Sequence, residues 1–249
     1  MKRFTNNQYA LSNVILLTSR SYADYLIPIL IAENSTINVL HFVHPNQIDE
    51  LPDEYLQSSR LISFGTRYYI QPKILARIGY GSYNFHPGST LYPGWAPFLY
   101  AIYEGAKKYG VTVHEMTSKI DAGKIVSVVE FDIPPNTAPQ KLVDITTSHM
   151  LIMFSNLSSL FLNQTDYLQC IDVEWQNKPN RKKDFIEICN ISLDIEKEEL
   201  KRKIFAFGDS DGDIFPYVLI DNKKYRIAFD NDHPDRHSHW LHGVRFVVE

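Results

Sequence analysis

Cysteine is nearly absent: Cys170 and Cys189 are the only two in 249 residues. Their spacing fits no zinc or redox motif, and two thiols in a chain this long do not make a disulfide framework. A reduced, cytoplasmic protein is the expectation. The first apolar stretch is interrupted by Asn13, Ser19, Arg20 and Asp24, so neither a signal peptide nor a membrane span is expected. Positive charge is not in excess: 25 Lys and Arg stand against 29 Asp and Glu, a net charge of −4. No broad basic face is then expected, which argues against nucleic acid as a partner. A small phosphorylated substrate stays open, because one or two placed cations suffice for it. The rest is ordinary for a globular chain, with 44% hydrophobic and 22% charged residues, and is long enough to bury a substantial core.

Periodicity orders the chain. Val14-Ile15-Leu16-Leu17 is a continuous apolar run of the kind that a strand covered on both faces needs. A helix is expected from Tyr22 to Glu33, bent or delayed by Pro28. Ile37–Val43 and Leu61–Phe64 read as further strands, and Pro72 suits the first turn of a short helix through Ile78. Ser82–His86 is a fourth strand. Residues from Pro97 to Lys107 read as helix, Val111–Met116 and Lys124–Ile133 as extended, and Gln140–Leu162 as a long helix. Strands alternating with helices imply a mostly parallel, Rossmann-like α/β sheet flanked by helices. Asn163–Lys183 is polar and reads as a linker. Ile195–Phe205 suits a charged helix, and Asp221–Lys224 a hairpin turn between Tyr217–Ile220 and Tyr225–Phe229. The division expected is 1–165 for a catalytic domain and 166–249 for a C-terminal subdomain with helix and hairpin.

The chemistry concentrates in three motifs: Asn84-Phe85-His86-Pro87-Gly88, Gly110-Val111-Thr112-Val113-His114 and Asp121-Ala122-Gly123. Asn84 and His86 are two apart, so on a strand they share a face while Phe85 points the other way. They sit at the strand's carboxyl end, where ligands of parallel sheets gather. An amide, an imidazole and a carboxylate are groups that one acyl-transfer site could use together, as oxyanion donors and as a proton acceptor. His114 reads as a hydrogen bonder behind them rather than a participant, and Thr112 as packing.

With these motifs in this order, the chain resembles the formyltransferase superfamily that uses 10-formyltetrahydrofolate, over roughly Leu61 to Leu162 and more weakly at both ends. Gly88 after His86-Pro87, and Gly94-Trp95-x-Pro97 before a helix, are similar to the branch that formylates amino sugars carried on nucleotides. So are Lys182-Lys183-Asp184-Phe185 and Phe215-Pro216-Tyr217 further on. The resemblance implies Asn84, His86 and Asp121 as catalytic residues. It implies 10-formyltetrahydrofolate, without a metal, held by Gly65, Pro87, Gly88, Gly94, Trp95, Ala122 and Gly123.

The amine it implies belongs to a nucleotide-linked amino-dideoxyhexose, foremost dTDP-4-amino-4,6-dideoxyglucose, made for surface polysaccharide (O-antigen). Lys182 and Lys183 are either surface charges or contacts to its pyrophosphate. Phe215 and Tyr217 either stack on its base or fill a hairpin core. Two departures stand out. Ser89–Pro93 lacks the Arg that the family carries before its Gly-Trp pair, and the segment around Thr18-Ser19-Arg20 lacks the phosphate loop of the purine enzyme. Other readings are formylation of another amine, such as methionyl-transfer RNA, or a non-catalytic folate or nucleotide-sugar binding module. His233, His237, His239 and His242, with Asp232 and Asp235, match no zinc spacing, and Asp209–Asp213 lacks the closing Glu of a calcium loop. The hairpin and the apolar stretch Val244–Val248 are candidate homodimer surfaces.

Overall fold

The computed structural model describes residues 9–208, 214–221, 223–229 and 244–248. The acidic loop 209–213 and the His233–His242 cluster lie outside the described residues. Contacts gather the chain into two compact units, one of residues 1–93, 109–131 and 144–179, the other of 94–108, 132–143 and 180–249. The sequence expectation instead placed a single boundary after residue 165.

The elements run β1 (Asn13–Leu17), α1 (Arg20–Glu33), β2 (Asn38–Phe42), α2 (Asn46–Asp49), α3 (Asp53–Gln57), β3 (Ser59–Phe64), α4 (Pro72–Leu75) and β4 (Ser82–His86). There follow α5 (Pro97–Tyr103), β5 (Lys108–Glu115), β6 (Ile125–Asp132) and α6 (Pro139–Asn163). The six strands form one sheet in the order β2-β1-β3-β4-β5-β6. β1 pairs in parallel with β2 and β3, and β3 with β4, whereas β4 and β5 are antiparallel. The carboxyl ends of β1, β2, β3 and β4 therefore line up, at the edge where ligands of parallel sheets gather.

Two-residue alternation assigns each strand side chain a face. Val14, Leu16, Ile62, Phe64, Tyr83 and Phe85 all belong to one buried cluster, which α1 and α6 complete with Leu26, Leu30, Met150 and Phe154. Ile15, Leu17 and Leu61 pack on the opposite face with Ile48, Leu56, Ile70, Ile74 and Ile78. The helix over 20–33 starts two residues before its expected first residue because the Ser19 hydroxyl caps it, accepting the Tyr22 N–H at 3.3 Å. Pro28 stays inside the helix. Burial of Leu26 and Leu30 on either side of it outweighs the missing backbone donor.

Arg60, on β3, is wholly buried. Its guanidinium donates to the carbonyls of Tyr80, Leu160, Phe161, Gln164 and Asp166 at 2.5–3.3 Å. The last carbonyls of α6 have no partner within the helix, so this buried cation closes the helix and is complemented by its dipole. Burial pushes the Arg60 pKa down to about 10, which leaves it charged at neutral pH.

The polar stretch after α6 is not the linker its composition suggested. Leu168 is buried and its N–H donates to the Tyr83 hydroxyl at 2.8 Å, and the Ile171 N–H donates to the Ile125 carbonyl at 2.8 Å. A few apolar side chains spaced through a polar segment suffice to hold it on the sheet, and composition averaged over the segment hides them.

In the second unit, α7 (Lys182–Ile188) and α8 (Lys197–Phe207) precede β7 (Tyr217–Ile220), β8 (Lys223–Phe229) and β9 (Val244–Val248). The helix α7 was not expected from the sequence. The Asp184 carboxylate caps its start, accepting the Arg181 backbone N–H at 3.1 Å. Tyr100 of α5, Phe185 and Phe207 meet edge to face. The strands form an antiparallel sheet in the order β7-β8-β9, with the hairpin where the sequence put it.

Candidate active site

The antiparallel pairing of β4 and β5 places Asn84 opposite His114 and His86 opposite Thr112. All four lie on the face away from α1 and α6, since their alternating neighbours Tyr83, Phe85, Val111 and Val113 fill the core on the other side. One strand alternation thus builds the core and the site together. Phe85 packs against Phe64 and Phe154 at ring-centroid distances of 5.3 and 5.4 Å, which anchors the strand from below.

Asp121 reaches this face from the turn after β5. Its φ is 39°, a left-handed conformation that a non-glycine residue rarely adopts. Gly123 makes the turn possible by close approach: a Cβ there would lie 1.8 Å from the Glu115 carbonyl oxygen. The Asp121 carboxylate bridges two imidazoles, Oδ2 lying 3.2 Å from His86 Nδ1 and Oδ1 lying 3.1 Å from His114 Nε2. Asn84 Nδ2 is 3.3 Å from the same His114 nitrogen. Asn84, His114, Asp121 and His86 therefore form one continuous polar chain. His86, His114 and Asp121 are buried, and Asn84 is the member left partly accessible.

The outer ring nitrogens fix the proton inventory. His86 Nε2 lies 2.8 Å from the Tyr92 carbonyl and His114 Nδ1 lies 2.8 Å from the Glu115 carbonyl. A carbonyl only accepts, so both of these nitrogens carry hydrogen. The inner nitrogens both face carboxylate oxygens, and with no further proton each contact would set lone pair against lone pair. The trio is thus arranged to hold one or two protons between the imidazoles and Asp121. Burial pushes the His86 pKa below its ordinary value near 6.5, with Asp121 pulling it upward. The same geometry revises one expectation. With both ring nitrogens engaged, His86 reaches an oxyanion only by giving up the Tyr92 carbonyl, which leaves the Asn84 amide as the readier donor.

Around this chain, Thr112 donates its hydroxyl proton to the Gly88 carbonyl at 2.8 Å, and the Tyr109 hydroxyl donates to the Pro87 carbonyl at 2.7 Å. Pro87 and Gly88 are so fixed directly after the pair. Gly65 ends β3 with φ 60°, where a Cβ would lie 3.0 Å from the Tyr22 ring. Gly65, Pro87, Gly88, Ala122 and Gly123 fall in the first unit with Asn84, His86 and Asp121, whereas Gly94 and Trp95 fall in the second.

There the Trp95 N–H donates to the Asn180 carbonyl at 2.8 Å, and the Lys182 ammonium sits 5.6 Å from the Trp95 ring centroid. Lys183 is exposed. Phe215 and Tyr217 are buried, and each carries a cation over its ring, Arg226 at 4.4 Å and Lys224 at 4.7 Å. These two rings are therefore core-packed and already in contact with charge.

One residue went unread in the sequence. Trp175 sets its ring edge to face against both imidazoles, at 5.6 Å from His86 and 5.1 Å from His114, and its indole N–H donates to the Gly123 carbonyl at 2.9 Å. A single Trp in a polar stretch offers no periodicity, so only the fold reveals it.

The structure thus brings Asn84, His86 and Asp121 together beside the carboxyl end of β4 on a mostly parallel sheet. Residues 62–151 match the family described as Formyl transferase. In sequence, the chain is similar to methionyl-tRNA formyltransferase of Mycoplasma mycoides subsp. mycoides SC, 39% identical over 100 residues that make up 39% of this chain and 31% of that protein. The chain spans about a third or less of the length of the curated relatives it matches.

In structure it resembles a 4-N formyltransferase from Francisella tularensis, with a TM-score of 0.70, 16% identity and coverage of 88% of this chain and 97% of that one. It also resembles the formyltransferase PseJ from Anoxybacillus kamchatkensis, solved with UDP-4,6-dideoxy-4-formamido-L-AltNAc and tetrahydrofolate. There the TM-score is 0.55, the identity 22% and the coverage 70% and 88%.

Proposed function

We propose that this protein is an N-formyltransferase that moves the formyl group of 10-formyltetrahydrofolate to the amino group of a nucleotide-linked amino-dideoxyhexose. The observation that carries the reading is the unbroken polar chain from Asn84 through His114 and Asp121 to His86 on one sheet face. The neutral amine nitrogen attacks the formyl carbon, and a tetrahedral intermediate with negative charge on oxygen forms. The Asn84 amide donates to that oxygen. The amine's proton passes to the Asp121 and histidine trio, whose inner contacts have room for it. The carbon–N10 bond then breaks, N10 takes a proton, and formamide and tetrahydrofolate leave. Gly65, Pro87, Gly88, Ala122 and Gly123, which fall in the same unit as the trio, would hold the folate. Gly94 and Trp95 remain folate candidates by resemblance alone, as Lys182 and Lys183 do for the nucleotide sugar, whereas the burial of Phe215 and Tyr217 favours a hairpin-core role over base stacking.

The preferred acceptor is dTDP-4-amino-4,6-dideoxyglucose, made for surface polysaccharide. Its support is the set of structural relatives whose own names concern 4-amino sugars or 4-N formylation. Transfer to methionyl-transfer RNA is the alternative that the sequence relatives raise, and the net charge of −4 disfavours so many phosphate contacts. The test is tetrahydrofolate release from 10-formyltetrahydrofolate with each acceptor in turn. Turnover with amino-sugar nucleotides and none with charged transfer RNA is expected. The reverse pattern would sink the sugar reading.

A further inference from the structure

Trp175, Gln176 and Asn177 run past the site as three consecutive residues, and each ties down a different part of it. Trp175 holds the Gly123 carbonyl, two residues from Asp121, and covers both imidazoles with its ring. The Gln176 backbone N–H donates to the Thr90 carbonyl at 3.0 Å, and its side-chain amide donates to the Thr90 hydroxyl at 2.9 Å. Asn177 Nδ2 donates to the Leu91 carbonyl at 2.7 Å. The next carbonyl along, that of Tyr92, is the one that His86 Nε2 meets.

We infer that residues 175–177 are a positioning strap for the proton-holding trio. It fixes the Asp121 turn through Gly123, fixes the His86 ring through the Thr90–Tyr92 loop, and closes the imidazoles off with an indole ring. None of the three residues needs to touch a reactant. Strand register alone does not set the imidazole rotations or the Asp121 turn, because β4 and β5 place only the Cα positions of the two histidines. Pinned from both sides, the carboxylate stays between two nitrogens at 3.1 and 3.2 Å. Catalytic geometry of that kind depends on supporting contacts of this type.

The strap stands on the geometry, while its effect on turnover rests on the formyl-transfer reading, so the experiment has two arms. In the first, histidine ring nitrogens are followed by NMR through a pH titration. His86 faces Asp121, His114 and the Tyr92 carbonyl, and its titration reports on that enclosure. Trp175→Leu, which removes the indole and leaves a smaller apolar side chain, is expected to raise the His86 midpoint by about one pH unit as water enters. Trp175→Phe restores most of the original behaviour because a ring again covers the imidazoles. Gln176→Ala, which leaves the ring in place and frees the Thr90 loop, also shifts His86, and it serves if the leucine variant fails to fold.

In the second arm, Trp175→Leu lowers kcat by about ten-fold or more with KM little changed, and phenylalanine rescues it. Folded variants in which His86 titrates as in the unmutated protein would overturn the strap. A wild type with the predicted NMR behaviour but no formyl transfer would overturn the functional reading alone.

Discussion

At the scale of single residues, Asp121 bears the most. It is held at φ 39° between two imidazoles, a strained placement with no role in the hydrophobic core. Asp121→Asn keeps the shape but makes the group unable to take up a proton. Turnover should fall about 10²–10⁴-fold with the melting temperature little changed, as steady-state kinetics and calorimetry will show. Asn84→Ala should cost about 10²–10³-fold, the usual effect of losing one oxyanion donor.

His86 gives a stability prediction with a defined sign. Its pKa is held below 6.5 by burial, so on acidification the unfolded chain takes up a proton before the folded one does. The stability contribution is whole above pH 6.5 and is lost as pH falls through the folded value. Denaturation followed between neutral and mildly acidic pH should show this decline, and His86→Gln should flatten it. Arg60→Met should destabilise by about 3 kcal/mol or more, because it strips several buried carbonyls of their donor; a urea midpoint close to that of the wild type would contradict the capping role.

At the scale of elements, the site is a by-product of register. Asn84 stands opposite His114 and His86 opposite Thr112 because Phe85 and Val113, paired across the same strands, must face the core. The shared face of Asn84 and His86 was legible in the sequence, since alternation of apolar and polar residues over Ser82–His86 dictates it, while the antiparallel pairing with β5 was not. The turn that delivers Asp121 was legible as a Gly-containing turn, although its physical requirement turned out to be contact with Glu115 rather than a glycine backbone angle. Gly123→Ala would drive its new methyl into the Glu115 carbonyl. Loss of about 1–3 kcal/mol, read from denaturant midpoints, should accompany reduced turnover as Asp121 shifts.

What stayed illegible were long-range contacts carried by isolated residues. Trp175 reaches Gly123 across 52 positions and Arg60 reaches Phe161 across 101, and neither partnership leaves a periodic trace. The helix α7 was hidden for a related reason, since its capping carboxylate lies within a run that reads as surface charge.

At the scale of the whole molecule, the order of β1 to β6 with α1, α4, α5 and α6 was readable in the sequence, and the short helices α2, α3 and α7 and the grouping of segments were not. Residues 94–108 and 132–143 gather with the C-terminal segment, and no composition shift marks either one. Among the described residues, α6 alone is long and apolar enough to cross a bilayer. Its Met150, Met153, Phe154 and Phe161 lie in the core cluster of the sheet, which explains that apolarity within a folded domain. The sheet of β7, β8 and β9 is the surface expected to join two copies, and sedimentation at micromolar concentration should give twice the chain mass of 28.8 kDa; a monomer would remove that proposal.

The most direct test of the central claim is single-turnover formyl transfer by Asp121→Asn, mixed with 10-formyltetrahydrofolate and an amino-sugar nucleotide. The account predicts a folded protein that still binds both and releases almost no tetrahydrofolate. Release at the wild-type rate would contradict it.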